Sequence, residues 1–227
     1  MRIDIITLFP EVFGPLYSSI PSRAQKKGAL ELHLHWLREF GLGSHHQVDD
    51  TPFGGGPGMV LKCEPIFECL DGIGQSEDRL VIYPTPQGTP FKQEHALELS
   101  HHSHLVFLCG HYEGVDQRVR DALVDREYSL GDYVLSSGEL ATMVMADAVI
   151  RLLPGVIKPE SYEQDSFFRG RLDHPHYTKP ASYRGMNVPD VLLSGHHKKI
   201  DEWRARKAAE ITERIRPDLS NQNSSSI

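Results

Sequence analysis

Apolar and polar residues alternate along residues 2–8 (RIDIITL) and 30–37 (LELHLHWL), the period-two pattern of strands with one buried face. Residues 80–83 and 105–109 are instead short unbroken apolar runs, as in strands covered on both sides within a parallel sheet. Between these runs the pattern lengthens: residues 91–99 and 115–124 read as helices. Residues 138–153 read as a longer, mostly apolar helix closed by Pro154-Gly155. Strands alternating with helices predict an α/β domain built on a parallel sheet. No repeat at a solenoid period interrupts this order.

The texture changes at Lys158. Residues 158–180 carry Pro, Gly and charge without clear periodicity and read as a connector. Ile200, Trp203, Ala208, Ile211 and Ile215 then fall on one face of a helix that ends before Pro217. A small helical domain is expected there, and the tail SNQNSSSI has a disordered composition.

Composition bounds the class. The chain has 227 residues, 39% hydrophobic and 24% charged, enough for a packed core and against general disorder. No run approaches the roughly 20 apolar residues of a membrane helix. The opening MRIDIITLFPEVF places Asp4, Pro10 and Glu11 where a signal peptide needs an apolar stretch, so a cytoplasmic protein is expected. Cys63, Cys69 and Cys109 are odd in number and not spaced as CxxC, which points to free thiols in a reducing compartment.

Net charge is −7, which by itself disfavours a polyanionic partner. The distribution changes that picture: residues 1–157 hold 12 Lys/Arg against 21 Asp/Glu, whereas residues 158–227 hold 12 against 10. The C-terminal third is the better place for nucleic acid to dock. Lys198, Lys199, Arg204, Arg206 and Lys207 form a basic run on its helix, either a solvated face or a phosphate-binding one.

In parallel α/β sheets ligands bind beyond the carboxyl ends of the strands. Three such segments are rich in small residues: PTPQG (84–88), GHYEG (110–114) and SSGE (136–139), the last following a short run at 133–135 read as a strand. They are either ordinary turns or the walls of a pocket in which backbone N–H and C=O groups approach a ligand. Neither GxGxxG nor the P-loop motif is present, which argues against a conventional dinucleotide or NTP site. GGGPGM (54–59) is a fourth loop, expected to be mobile until a partner orders it. The 13 histidines include three close groups, His45-His46, His101-His102-His104 and His196-His197. They match no HExxH or CxxC scheme, so solvated rings and no metal site are expected.

Eight segments in order, VDDTPFGGGPGM (48–59), TPQG (85–88), CGHYEGVDQRV (109–119), SLGDYVLSSGELA (129–141), IRLLPGV (150–156), EQDSF (163–167), HPHYTKP (174–180) and VLLSGHH (191–197), resemble the bacterial-type tRNA (guanine-N1)-methyltransferases. The resemblance reaches from the N-terminus to about Arg206. It departs from the family pattern at Ser137, where glycine is common, and at His111, where arginine is common.

The resemblance implies the SPOUT class: an α/β parallel sheet with a deep C-terminal trefoil knot and a small helical C-terminal domain. It divides the chain into a donor-binding domain at 1–157, a connector at 158–173 and a tRNA-binding domain at 174–227. It implies S-adenosylmethionine as methyl donor, tRNA as substrate, a homodimer with active sites at the subunit interface, and methylation of the guanine 3′ of the anticodon (position 37). Mg2+ is compatible with this chemistry, and no spacing specifies a site for it.

Guanine N1 carries a proton at neutral pH, so the reaction needs a base at N1 and a cation or donor at O6. By resemblance Asp165 is the base, although an Asp-Ser pair also suits a helix N-cap. Arg151 is the group that stabilises O6 or orients Asp165; its position also suits a cation at a helix C-terminus. The same resemblance assigns the donor pocket to Tyr83, Pro86, Gly110, Tyr112, Leu130, Gly131, Asp132, Tyr133, Val134, Leu135 and Gly138, although Tyr133 taken alone reads as a core residue. Substrate contacts are expected from Glu113 at the guanine edge, from Gly55 and Gly56 in the glycine-rich loop and, with tRNA as substrate, from Lys198 and Arg204 in the basic run. The rival readings are another SPOUT methyltransferase acting on a ribose or a different base, and a tRNA-binding module without a donor site.

Overall fold

The computed structural model describes residues 1–168 and 170–222. The chain separates into two compact units, Met1–Ile157 and Lys158–Ile227. In the first, β1 (Arg2–Thr7) and β2 (Glu31–Trp36) are followed by a small antiparallel pair, β3 (Asp49–Asp50) and β4 (Val60–Leu61), which brackets the glycine-rich loop. Then come β5 (Arg79–Pro90), β6 (His104–Leu108) and β7 (Arg126–Ser129). The main sheet runs β2-β1-β6-β5-β7 with every pairing parallel.

Helices cover both faces. On one, α2 (Cys63–Ile73) and α4 (Gln117–Leu123) cover Ile6, Val81, Val106 and Leu108 with Ile66, Cys69, Leu70 and Val119. Strand alternation turns Ile3, Ile5, Ile82, Leu105 and Phe107 to the other face. There α1 (Ser19–Lys26), α3 (Gln93–Leu99) and α5 (Gly138–Ile150) pack together. α5 buries Ala141, Met145, Val149 and Ile150. Among the described residues no helix is long and apolar enough to cross a membrane. The three cysteines are free; burial pushes the Cys69 thiol up to about 12 and Cys109 well above its ordinary value, so neither supplies a thiolate.

Three expectations change. The alternation at 2–8 predicts a half-buried strand, but β1 is interior and is buried throughout Ile3–Thr7, Asp4 included. Asp4 is tolerated because Arg2 Nε (2.6 Å), His35 Nε2 (2.6 Å) and His104 Nε2 (2.7 Å) all donate to its carboxylate. His104 is therefore a buried structural ring, not a solvated one; its Nδ1 lies 2.8 Å from Ser76 Oγ. Residues 133–135 form no strand: Tyr133 and Val134 are exposed, and the fifth strand is Arg126–Ser129, whose polar ends hide its pattern.

In the second unit α6 (Pro159–Tyr162) lies within the segment read as connector. A short hairpin of β8 (Ser182–Tyr183) and β9 (Met186–Asn187) and the one-turn α7 (Asp190–Leu193) precede α8 (His197–Ile215) and α9 (Pro217–Gln222). Trp203 and Ala208 are buried as the periodicity predicts, but Ile215 is exposed and Thr212 replaces it as the last buried position. The Thr212 hydroxyl donates to the Ala208 carbonyl and accepts from the Leu172 N–H, so its polarity is satisfied locally. Of the expected disordered tail, Ser220–Gln222 belong to α9 and residues 223–227 lie outside the described residues.

Candidate active site

The carboxyl ends of β5, β6 and β7 open into one cavity of about 350 Å³. Each strand contributes its following segment for a different backbone reason. β5 carries three prolines, which cannot donate to a ladder. Its register against β7 shifts between Pro84 and Thr89, and TPQG bulges out there. Beyond β6 the chain turns through Tyr112 and Gly114, both at positive φ (58° and 125°). Beyond β7, Gly131 at φ 151° lets the Tyr133 N–H fold back on the Gly131 carbonyl. Its apolar neighbours Tyr133 and Val134 thus line a cavity instead of entering a sheet.

Glycine is needed for space as well as for φ. A Cβ on Gly138 would stand 2.7 Å from the Gly110 backbone nitrogen, and one on Gly110 would stand 2.8 Å from Tyr83 Oη. The Gly138 N–H donates to the Gly110 carbonyl at 2.8 Å, joining the start of α5 to the end of β6. A walled, backbone-lined cradle of this kind fits an adenosine and its thioether-sized chain. Ser137, in place of the family's glycine, adopts an extended φ of −165° that any residue can hold. His111 stacks on Phe9 and Tyr112, with centroids 5.3 and 4.6 Å away.

Of the eleven donor-pocket residues expected, ten line this cavity: Tyr83, Pro86, Gly110, Tyr112, Leu130, Gly131, Tyr133, Val134, Leu135 and Gly138. Asp132 is not among its lining residues. Tyr133 is 56% exposed and so is not the core residue its aromatic character suggests. Sequence reasoning missed Arg120, which also lines the cavity. Its guanidinium makes a two-pronged pair with Glu127 (2.7 and 2.8 Å), donates to Gln87 Oε1 (2.6 Å) and covers the Tyr83 ring at 5.8 Å. The signal was an arginine on the first helix after the GHYEG turn, indistinguishable in sequence from a solvated one. Burial pushes the Tyr83 hydroxyl up, so it stays a neutral hydrogen-bonding wall.

Glu113 also lines the cavity and is exposed. Its N–H donates to the Met59 carbonyl, and a Cβ on Gly58 would meet the Glu113 side chain. The glycine-rich loop is thus seated against the cavity mouth. Gly55 and Gly56 do not line the cavity; both hold positive φ (77° and 125°), with open space where a side chain would be.

The remaining assignments fall elsewhere in the chain. Arg151 is the C-cap of α5 in the first unit, its N–H donating to the Asp147 carbonyl. Asp165 belongs to the second unit, half-buried in a run of turns, where its N–H donates to the Tyr162 carbonyl; among the described residues it is the N-cap of no helix. It lines a second cavity with Arg171, Asp173, His174, Asp201 and Arg204. Lys198 and Arg204 are exposed on α8; Arg204 lies 3.5 Å from Asp201.

The sequence matches, over residues 1–222, the model of the family described as tRNA (Guanine-1)-methyltransferase TrmD. It is 53% identical to the tRNA (guanine-N(1)-)-methyltransferase of Macrococcus caseolyticus over 96% of this chain and 91% of that protein. The proteins of the same name from Desulforamulus reducens and Brevibacillus brevis are each 52% identical, over 96% of this chain and 88% and 91% of theirs.

Proposed function

The chain belongs to the tRNA (guanine-1)-methyltransferase family, and from that premise we propose that it methylates N1 of the guanine 3′ of the anticodon in tRNA, with S-adenosylmethionine as donor. The observation that carries the reading is the cavity at the ends of β5, β6 and β7, where Gly110 and Gly138 let the walls pack more closely than any side chain would allow and leave backbone lining the space. Bound there, the donor supplies a methyl group on an electron-poor sulfonium.

The rest of the work falls to the protein. Asp165 accepts the N1 proton, leaving the ring nitrogen a lone pair to attack with. Arg151 balances the charge that collects on O6 as that proton leaves. Glu113, exposed at the cavity mouth beside Gly58, accepts hydrogen bonds from the guanine edge, and the loop through Gly55 and Gly56 orders around the inserted base. Lys198 and Arg204 on α8 contact backbone phosphates. Mg2+ is compatible with this chemistry.

The fold reading includes the SPOUT trefoil knot, threaded through the segments that follow β5, β6 and β7. It also includes a cytoplasmic homodimer in which Asp165 and Arg151 act from different subunits. Support for a subunit interface comes from Leu140 (48% exposed) and Val144 (53%), one turn apart on α5, with Val134 (84%) nearby in sequence.

The test is methyl transfer from labelled donor to an anticodon stem-loop carrying G or A at the target position. Labelling of the G substrate alone is expected; equal labelling of both removes the assignment.

A further inference from the structure

We propose that Asp173, His174 and His176 form a binding site for a divalent transition-metal ion of the Zn2+ or Co2+ type, held by one carboxylate oxygen and two imidazole nitrogens. One ligand atom from each of the three residues lies within 4.8 Å of the others. His174 Nδ1 stands 2.6 Å from Asp173 Oδ1, and His176 Nε2 stands 2.8 Å from Oδ2. Donors sharing one ion at about 2.1 Å lie roughly 3 to 4 Å apart, so both contacts open by up to about 1 Å when an ion enters. His176 is the least hemmed in of the three: its side chain is 71% exposed, whereas those of His174 and Asp173 are 12% and 23% exposed.

The donor set selects the ion. Two imidazoles and one carboxylate favour a borderline cation over Mg2+ or Ca2+, which require mostly oxygen ligands. Pro175, between the histidines, fixes one backbone angle and so narrows what the segment can do without the ion. Neutral imidazoles need only shift tautomer, moving the proton to the far nitrogen, to turn a lone pair toward the ion. The exposed side of the cluster leaves coordination positions for water. Trp203 backs the buried side, its ring 6.5 Å from that of His174.

The site sits on the segment that carries Asp165. The Asp173 N–H donates to Ser166 Oγ at 2.9 Å, and Asp165, Asp173 and His174 line the same cavity. An ion here therefore stiffens the chain around Asp165. The spacing D-H-P-H escapes a search for HExxH or CxxC because its three ligands lie within four residues, with no helix to set their period.

The test is titration of the metal-free full chain with CoCl2, followed by calorimetry and visible absorption, with thermal denaturation of every variant as a folding check. One Co2+ per chain is expected, with a ligand-field band. His176→Ala, which removes an exposed ring, weakens binding more than about tenfold, as does His174→Gln. A double variant, His196→Ala with His197→Ala, leaves binding intact. Absence of saturable binding, or binding unchanged in folded His176→Ala and His174→Gln, overturns the proposal. Saturable binding without slower proteolysis within residues 158–173 overturns the stiffening.

Discussion

Gly138 donates its backbone N–H to the carbonyl of Gly110 at 2.8 Å, and this contact sets the separation between the start of α5 and the end of β6. A methyl group on Gly138 would stand 2.7 Å from the Gly110 nitrogen, a backbone atom that cannot swing aside. Gly138→Ala is expected to weaken S-adenosylhomocysteine binding roughly 10- to 100-fold by calorimetry, the equivalent of about 1.4–2.8 kcal/mol of overpacking. Binding within a factor of two of the parent would show that the cradle is not where the donor sits.

Arg120 supports the same pocket indirectly. Beside its two bonds to Glu127 it donates a third, from Nη1, to Gln87, with the Tyr83 ring beneath. Lysine cannot make a two-pronged pair and a third bond together. Arg120→Lys is expected to raise the donor KM about 5- to 30-fold, in line with loss of a charged hydrogen bond, with kcat changed less. A matching fall in kcat alone would assign Arg120 to the reaction step instead.

Asp4 gives the acid limb of stability. Burial pushes its carboxyl up, but donors from His35, Arg2 and His104 outweigh this and hold it well below the usual carboxylate range. A carboxyl depressed in the folded state contributes stability that is complete above its unfolded pKa and is lost as pH falls below it. Urea titrations are expected to show unfolding free energy dropping steeply below about pH 4. Asp4→Asn is expected to flatten that slope and to cost about 3–5 kcal/mol at neutral pH. An unchanged acid limb in Asp4→Asn would place the sensitivity elsewhere.

Much of this was legible in the sequence, and the failures have particular causes. The apolar runs at 80–83 and 105–109 and the helix from Gly138 are strong local patterns, and the three segments rich in small residues, 84–88, 110–114 and 136–139, each contribute to the cavity wall. Asp4 was hidden because alternation cannot tell an edge strand from an interior one whose polar residue is neutralised by partners 31 and 100 positions away. Residues 133–135 looked like a strand because residues lining a pocket share the composition of residues lining a core. Thr212 escaped because its hydroxyl is satisfied within its own helix turn and by Leu172, 40 positions distant. Arg120 had no local signature at all, since its partners Gln87 and Glu127 lie on two other strand ends.

Asp165 and Arg151 test the dimer reading together. Each of Asp165→Asn and Arg151→Gln is expected to lower kcat about 100- to 10,000-fold with donor binding retained. If the two residues act from different subunits, mixing the two inactive variants and allowing exchange restores turnover through hybrid dimers. No recovery after demonstrated exchange would place both groups in one subunit. Leu140→Asp with Val144→Asp is expected to yield monomers by sedimentation and to abolish turnover.

The most direct measurement is the site of the product's methyl group. Transfer RNA modified by the protein, digested to nucleosides and resolved by chromatography and mass spectrometry, is expected to yield 1-methylguanosine, and at least about 100-fold less of it per unit time with Asp165→Asn. A 2′-O-methylated nucleoside or a methyl group on another base, formed as well by Asp165→Asn as by the parent, would contradict a carboxylate acting at N1.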